Sequence, residues 1–408
     1  MIYDLIVIGS GASGIISAIT AKQNNNAVLL LEKLPTIASK LKATGGGKCN
    51  ITNTLSNDEL MHRFGRDGRF MQDALKEFDS QKLIEFLNSI GVDTHAPDGF
   101  RIFPISHNSS TIIKALQTKM QEVGVEIKCS QKVTQLLQDG VKITGLKTQD
   151  ATYRCKNIVL ATGGLGFSSL GAEGDGYKLS CEVGHTTTKL YPAMLPLHTK
   201  ESWVENCRAD TIAKVKIKID IKKHKKLQAM GDLIFTKKGI RGPVVLDFAR
   251  EITPLLEKYS EVPILINLTN GMNEEDILKH LKKQTSNILD ALSSIVPKSL
   301  AMELCKLTDI NTDKTFNKID GENKNNLIKL LAWTPLTIVG NDGFKMAMIT
   351  RGGIKLKEIN PKTMQSKIID GLYFCGEVMD IDGPCGGYNL QWSFSSGYLA
   401  GLLKKDKI

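Results

Sequence analysis

Apolar positions along the chain follow two rhythms. Tyr3 to Ile8 is an unbroken β-branched run, the pattern of a strand buried on both faces. The helical stretch Ile15 to Gln23 follows it, then a second apolar run, Ala27 to Leu31, that ends on Glu32. Lys156 to Ala161 repeats the pattern and opens into Thr162-Gly163-Gly164, and Gly174-Asp175-Gly176-Tyr177 then begins a helix. Leu372 to Cys375 repeats it again before Gly376-Glu377, and Ser393 to Leu403 is a helix of small residues. From about Tyr191 the rhythm changes. Ala213, Val215, Ile217, Ile219 and Ile221 alternate with Lys214, Lys216, Lys218, Asp220 and Lys222, a period-two strand with one apolar and one basic face. It runs into Lys222-Lys223-His224-Lys225-Lys226 and then Leu233 to Thr236, so short antiparallel strands are expected here. Residues from about 272 to 330 read as helical, with Asn273-Glu274-Glu275-Asp276 in a first turn and Pro297 between helices. Two readings of the lysines stay open: protection of an edge strand against aggregation, or a ridge that contacts phosphates.

Length and composition narrow the class. At 408 residues the chain is expected to hold two or three domains. Hydrophobic residues at 41% and charged residues at 24% are globular usage, which excludes a disordered, collagenous or coiled-coil protein. No apolar run approaches the ~20 residues that span a bilayer, so no membrane partner is expected. The start, MIYDLIVIGSGASG, enters a strand directly and is read as no signal peptide. The 8 cysteines form no CxxC and no Cys/His pair at zinc spacing, so no metal site is expected and reduced thiols in a cytoplasm are. Lys plus Arg at 53 against 43 Asp plus Glu gives a net charge of +10, which permits RNA or nucleotide partners without demanding them.

The first motif is the most informative. Gly9-Ser10-Gly11-Ala12-Ser13-Gly14 joins a strand to a helix, and the acid Glu32 ends the next strand. Gly9 allows the tight turn, Gly11 lets a pyrophosphate approach the backbone, and Gly14 lets helix and strand pack closely. The helix start offers unpaired N–H groups and a positive dipole to the phosphates. Glu32 can accept from both ribose hydroxyls and repels a 2′-phosphate. A second basic, glycine-rich loop, Lys40 to Asn53, suits a ligand longer than NAD, which points to FAD. The Thr162-Gly163-Gly164 turn lies at a strand end, where open α/β sheets bind ligands. No second complete GxGxxG with its acid follows, so NAD(P)H is expected only as a transient electron donor at the flavin face. Near the C-terminus, Asn389, Leu390 and Gln391 open a helix whose dipole suits negative charge at N1 and O2 of a reduced flavin.

These blocks resemble the HI0933-like, or YhiN-type, flavoproteins of the two-dinucleotide-binding-domain group. The resemblance runs through GSGASG at 9–14, KATGGGKCNITN at 42–53, GFRIFP at 99–104, ATGG at 161–164 and GDGY at 174–177. It continues in LIFTKKGIRGPVVL at 233–246, TRGGI at 350–354, TMQSK at 363–367 and GLYFCGEVMDIDGPCGGYNLQWSFSSG at 371–397. It implies an α/β fold with a discontinuous Rossmann-like FAD-binding domain, residues 1–190 and 340–408. A β-barrel-like domain, 191–271, and a small helical domain, 272–339, are inserted. Blocks and resemblance together give the cofactor set. It comprises Gly9, Gly11, Ala12, Ser13, Gly14, Glu32 and Lys33 at the first turn, and Lys40, Thr44, Gly45, Gly46, Gly47, Lys48 and Asn50 in the second loop. Val133, Ala161, Thr162, Gly163, Gly164 and Asp175 come from the middle, and Gly376, Glu377, Asn389, Leu390 and Gln391 from the end. Two positions depart from the family pattern. Lys48 stands where Arg is usual and lacks its bidentate fork, and Arg241 stands where Ser is usual.

The resemblance also implies an FAD-dependent oxidoreductase. Relatives are linked to reduction of conjugated carbonyl systems in steroids, and of uridine to dihydrouridine in ribosomal RNA. Both reactions need hydride at the β-carbon of an enone-like group and an acid for the α-carbon. The candidate acids are Cys385 in its glycine-rich turn, then Cys49, then Tyr388; Cys385 reads equally as a turn filler. Arg101 and Arg351 are either substrate-orienting or structural ion-pair residues, and no base or metal pairs with His95 or His107. Three functions stay open: an RNA reductase, a reductase of a small enone, and a nucleic-acid-associated protein whose FAD is structural or redox-sensing.

Overall fold

The unbroken apolar runs lie side by side in one buried sheet. In this computed structural model, which describes residues 1–404, β1 (Ile2–Ile8) is followed by α1 (Ala12–Gln23) and β2 (Val28–Leu31). β1 pairs in parallel with β2 on one side and with the strand Thr152–Leu160 on the other. Leu372–Phe374 joins Thr152–Leu160, also in parallel, and Glu126–Lys128 extends the sheet beyond β2. Leu31, Ile8, Leu160 and Phe374 therefore stand in one row at the carboxyl edge. Two further strands, Val133–Asp139 and Lys142–Thr148, complete a seven-stranded sheet by antiparallel pairing. Leu5, Ile6 and Val7 are fully buried, as two covered faces require. The C-terminal helix Tyr388–Gly401 packs so closely on α1 that a Cβ at Gly397 would overlap the Ser13 carbonyl oxygen.

The chain divides into two compact units. One is Met1–Tyr191 together with the segment from Ile349 to the C-terminal end; the other is Pro192–Met348. The second unit contains a closed antiparallel barrel of Leu197–Thr199, Gly239–Arg241, Gln228–Thr236, Thr211–Ile219, Val262–Asn267 and Thr334–Asn341, in that order. One apolar core runs through the barrel and its helices, including Ile217, Phe235 and Ile264 from strands and Leu281, Leu304 and Leu327 from helices. A cut near residue 272 would pass through that core, and residues 334–339, expected in the helical domain, lie in the barrel strand Thr334–Asn341. Among the described residues this unit holds no second parallel βαβ nucleotide fold.

Closure of the barrel decides one open question. Thr211–Ile219 pairs with Gln228–Thr236 on one side and Val262–Asn267 on the other, so it is not an edge strand. Its lysines cannot be edge guards. The expected alternation also begins later than predicted, because the register shifts between Ile212 and Val215, where Lys214 has φ of 53°.

The first unit contains a pH-sensitive core contact. The His185 ring is fully enclosed between Glu358 (Nδ1 to Oε2, 3.2 Å), the Ser366 hydroxyl (2.8 Å from Nε2) and the Phe374 ring. Burial pushes the imidazole below its ordinary value, and Glu358 opposes this only in part. The unfolded chain therefore takes up the proton first as pH falls. Stability from this site is complete above about pH 6.5 and declines as pH drops below it. We expect the urea midpoint to fall between about pH 7 and 5, and His185→Gln to flatten that part of the profile. Identical profiles for the two proteins would show that His185 does not carry the effect.

Candidate functional site

The parallel strands β1, Thr152–Leu160 and Leu372–Phe374 deliver their glycine-containing turns, and β2 delivers Glu32, to one carboxyl edge. Gly9 sits at φ 101°, and a Cβ there would stand 2.6 Å from the Ala161 carbonyl oxygen, so only glycine serves. At Gly14 a Cβ would overlap the Gly9 carbonyl oxygen, which is the close helix–strand packing the motif predicts. Gly11 differs. Its φ is −71° and no heavy atom lies within 4 Å of where a Cβ would be. The first intrahelical bond is from Ile15 N–H to the Gly11 carbonyl, so the amides of Ala12, Ser13 and Gly14 precede the hydrogen-bonded ladder. Glu32 accepts from Ser10 N–H (3.0 Å) and the Ser10 hydroxyl on one oxygen and from Leu34 N–H (2.9 Å) on the other. The carboxylate is fixed beside the turn, and each oxygen retains acceptor capacity.

The second glycine loop folds back toward the end of the chain. Gly45, Gly46 and Gly47 take φ of 58°, 65° and 91°, a left-handed run that side chains resist. Thr44 donates its hydroxyl to the Leu41 carbonyl (2.7 Å), and Lys48 is exposed. The Asn50 amide accepts from Gly387 N–H (3.0 Å) and donates to the Thr52 carbonyl (3.0 Å). Asn53 donates to the Gly386 carbonyl (2.9 Å), and a Cβ at Gly387 would overlap the Thr52 carbonyl oxygen. Blocks more than 330 residues apart in sequence thus form one structure. Cys49 lies beneath this loop, fully buried, with burial pushing its thiol up to about 11. Of the candidate acids it is the one most enclosed.

Several expected cofactor residues turn out to hold other parts of the protein. Lys33 and Asp175 pair with each other, joined by Lys132 and Glu173 (Lys33 Nζ to Glu173, 2.9 Å). Lys40 pairs with Glu377 at 2.7 Å, and the other Glu377 oxygen accepts from Thr350 N–H at 2.8 Å. Val133 is buried at the start of its strand, opposite Thr148. Gln391 was expected at the flavin. Its side chain instead points into the protein and donates to the Phe78 carbonyl (3.2 Å) and Ser395 (2.9 Å), because its helical phase places it on the covered face. Asn389 clamps its own loop, accepting from Gly383 N–H (2.8 Å) and donating to the carbonyls of Gly383 (2.9 Å) and Pro384 (3.3 Å). Leu390 is half-buried against the core. These residues position the helix start, where the amides of Tyr388, Asn389 and Leu390 precede the first intrahelical bond, from Gln391 N–H to the Gly387 carbonyl.

Cys385 is exposed in the turn that Asn389, Asn53 and Asn50 brace. Tyr388 is buried, its ring between Phe64 and Phe100 with centroids 6.3 Å from each. Arg101 is committed to Asp98, its Nε 2.6 Å from the carboxylate, which the Arg101 N–H and side chain hold down at about 2. His95 and His107 face each other, Nε2 to Nε2, at 2.9 Å. Asp380 was missed from the sequence. Burial raises its carboxyl, Asp67 adds to the shift, and a Thr188 bond, Arg351 and Arg66 oppose it. A half-buried acid inside MDIDG, five residues before Cys385, is the signal that would have found it.

FAD fits this edge by the groups that are left over. The space before Gly11 takes a diphosphate, the helix amides face it, and Glu32 can receive a ribose. At the ATGG turn the Thr162 hydroxyl packs against Gly176 of the next α-helix, while Gly163 faces open space.

Residues 3–403 match the HI0933-like protein Rossmann domain. The chain is 31% identical over 409 residues to a 3-dehydro-bile acid delta(4,6)-reductase of Clostridium scindens, covering 98% of each. It is 28% identical over 401 residues to a ribosomal RNA dihydrouridine synthase of Haemophilus influenzae, covering 97% of each. Among solved structures, a 3-ketosteroid delta1-dehydrogenase from Sterolibacterium denitrificans superposes with a TM-score of 0.53 at 12% identity, over 98% of both chains. That likeness speaks to the fold alone.

Proposed function

Because the chain belongs to the HI0933-like family and is an FAD-dependent oxidoreductase, we propose that it reduces a carbon–carbon double bond conjugated to a carbonyl, with uridine in RNA as the acceptor. The observation that carries the reading is the shared bond in its full-length relatives. A 3-dehydro bile acid with 4,6 unsaturation and a uridine both present a C=C polarised by a C=O. FAD, when bound, supplies hydride from N5 to the β-carbon, after reduction by a transient donor such as NAD(P)H. The chain itself orients the acceptor at the glycine-rich edge and delivers a proton to the α-carbon, for which exposed Cys385 is the best-placed of the candidates. An RNA acceptor carries a cytoplasmic setting with it. Among the described residues no helix is long and apolar enough to cross a membrane.

A small enone is the second reading, favoured by the 31% identity to the bile acid reductase. Mass spectrometry of nucleosides in total RNA, with and without the gene, separates the two. Loss of dihydrouridine from ribosomal RNA on deletion supports the RNA acceptor. Unchanged dihydrouridine, with reduced flavin reoxidised by an enone faster than by buffer, assigns the small molecule. Reoxidation by neither would leave FAD as a structural or sensing group.

A further inference from the structure

The most basic stretch of the chain has no role in the glycine-rich edge. Between residues 214 and 226 stand seven lysines and one acid, Asp220. The strand part lies in the wall of a closed barrel, with Val215, Ile217 and Ile219 buried inward and Lys216 exposed outward. Lys222, Lys223, Lys225 and Lys226 continue the row on the following turn and are all exposed. Among the described residues none of these seven ammonium groups is ion-paired, although ion pairs are common elsewhere on the chain. Lys218 is held over the Trp333 ring, 3.6 Å from its centroid, which fixes one cation in place. Crowded, unpaired like charges repel, and a polyanion relieves that repulsion by displacing its own counterions.

We propose that this lysine ridge on the barrel docks the phosphate backbone of RNA. The inference rests on the RNA reading above and adds the surface that would hold the substrate. Lys216 and Lys218 stand on one strand face about 6.7 Å apart, as alternate residues do. Their neighbours across the strand pairs are Met230 and Gln228 on one side and Asn267 and Leu265 on the other, with no acid directly opposite either lysine. An anionic membrane is the competing polyanion. Its hold on a basic patch is strengthened by large apolar groups that insert, and Met230 is the one large exposed hydrophobic side chain on these strands.

The test uses the full-length holoprotein and a fluorescein-labelled, uridine-containing single-stranded RNA of about 20 nucleotides. Binding is read by anisotropy between about 50 and 200 mM salt. The ridge variant carries Lys216→Gln, Lys222→Gln, Lys223→Gln, Lys225→Gln and Lys226→Gln. A control carries Lys279→Gln and Lys282→Gln on the helix Glu274–Lys282 of the same unit. FAD content and far-UV circular dichroism check that each variant is folded. The ridge variant should bind RNA at least about tenfold more weakly, and its salt slope should shrink by about 0.7 for each phosphate that is no longer neutralised. The control should match wild type. If wild type forms dihydrouridine in RNA while the ridge variant keeps its affinity and slope, the ridge proposal falls and the RNA reading stands. If wild type neither binds nor modifies RNA, both fall. Ridge-dependent binding to phosphatidylglycerol vesicles without RNA binding overturns the proposal in favour of a membrane.

Discussion

Gly11→Val should fold and be colourless. The backbone at Gly11 has φ of −71°, open to any residue, and no atom from elsewhere in the fold lies within 4 Å of a Cβ there. The Cβ of a valine therefore points at what binds there. Its overlap with a diphosphate costs about 1–3 kcal/mol. Displaced phosphate oxygens also lose charge-assisted bonds to the helix amides, each about 1.5–3 kcal/mol. Together these predict a loss of FAD affinity of about 10²-fold or more. Loss of the helix-start glycine itself costs only about 1 kcal/mol. Gly14→Val is the informative contrast, because its side chain would overlap the Gly9 carbonyl oxygen and the protein itself must give way. Far-UV circular dichroism and flavin absorbance separate the cases: Gly11→Val native and without flavin, Gly14→Val non-native. A yellow Gly11→Val at full occupancy would remove the diphosphate from this turn.

Local pattern made the first unit readable, and distance in sequence made the rest opaque. The run Tyr3–Ile8, its glycine turn and Glu32 lie within one continuous stretch, so the strand, the tight turn at Gly9 and the close packing at Gly14 are found where the spacing predicts them. The lysine alternation is equally visible, but whether its strand is an edge depends on pairing with Val262–Asn267, which no local signal encodes. The barrel strand Thr334–Asn341 shows period-two burial in Thr334, Leu336 and Ile338, yet it follows a helix so closely that the pattern merges with the helical one. The partners of several candidate site residues were hidden for a related reason. Lys33 with Asp175 and Lys40 with Glu377 are pairs separated by 142 and 337 positions, and charge alone cannot tell a cofactor contact from such a pair. For Gln391 the residue type is suggestive but the helical phase is not legible. Its buried neighbour Ser395, one turn on, shows which face it occupies.

Cys385→Ala should retain FAD and slow acceptor reduction by roughly 10²–10⁴, the range over which a positioned acid contributes. Geometry separates Cys385 from the other two candidates. Cys49 is fully buried, and the Tyr388 ring is packed between Phe64 and Phe100, whereas Cys385 is exposed. An acid that gives up its proton each turnover must recover one, and exposure gives Cys385 a direct route from water. Its turn is also braced from both sides. Asn389 bonds Gly383 and Pro384, Asn53 bonds Gly386, and Asn50 bonds Gly387, so truncating the thiol should leave the backbone in place. Rapid mixing distinguishes the steps: reduction of the flavin by donor should be unchanged, and its reoxidation by acceptor slowed. Cys385→Ser should recover little, since a hydroxyl is a far weaker acid than a thiol. Reoxidation of Cys385→Ala at the wild-type rate would make the cysteine a turn filler. Asp380 would then be the next residue to test, since its burial already favours the protonated form an acid requires, and Asp380→Asn should show the defect that Cys385→Ala lacks.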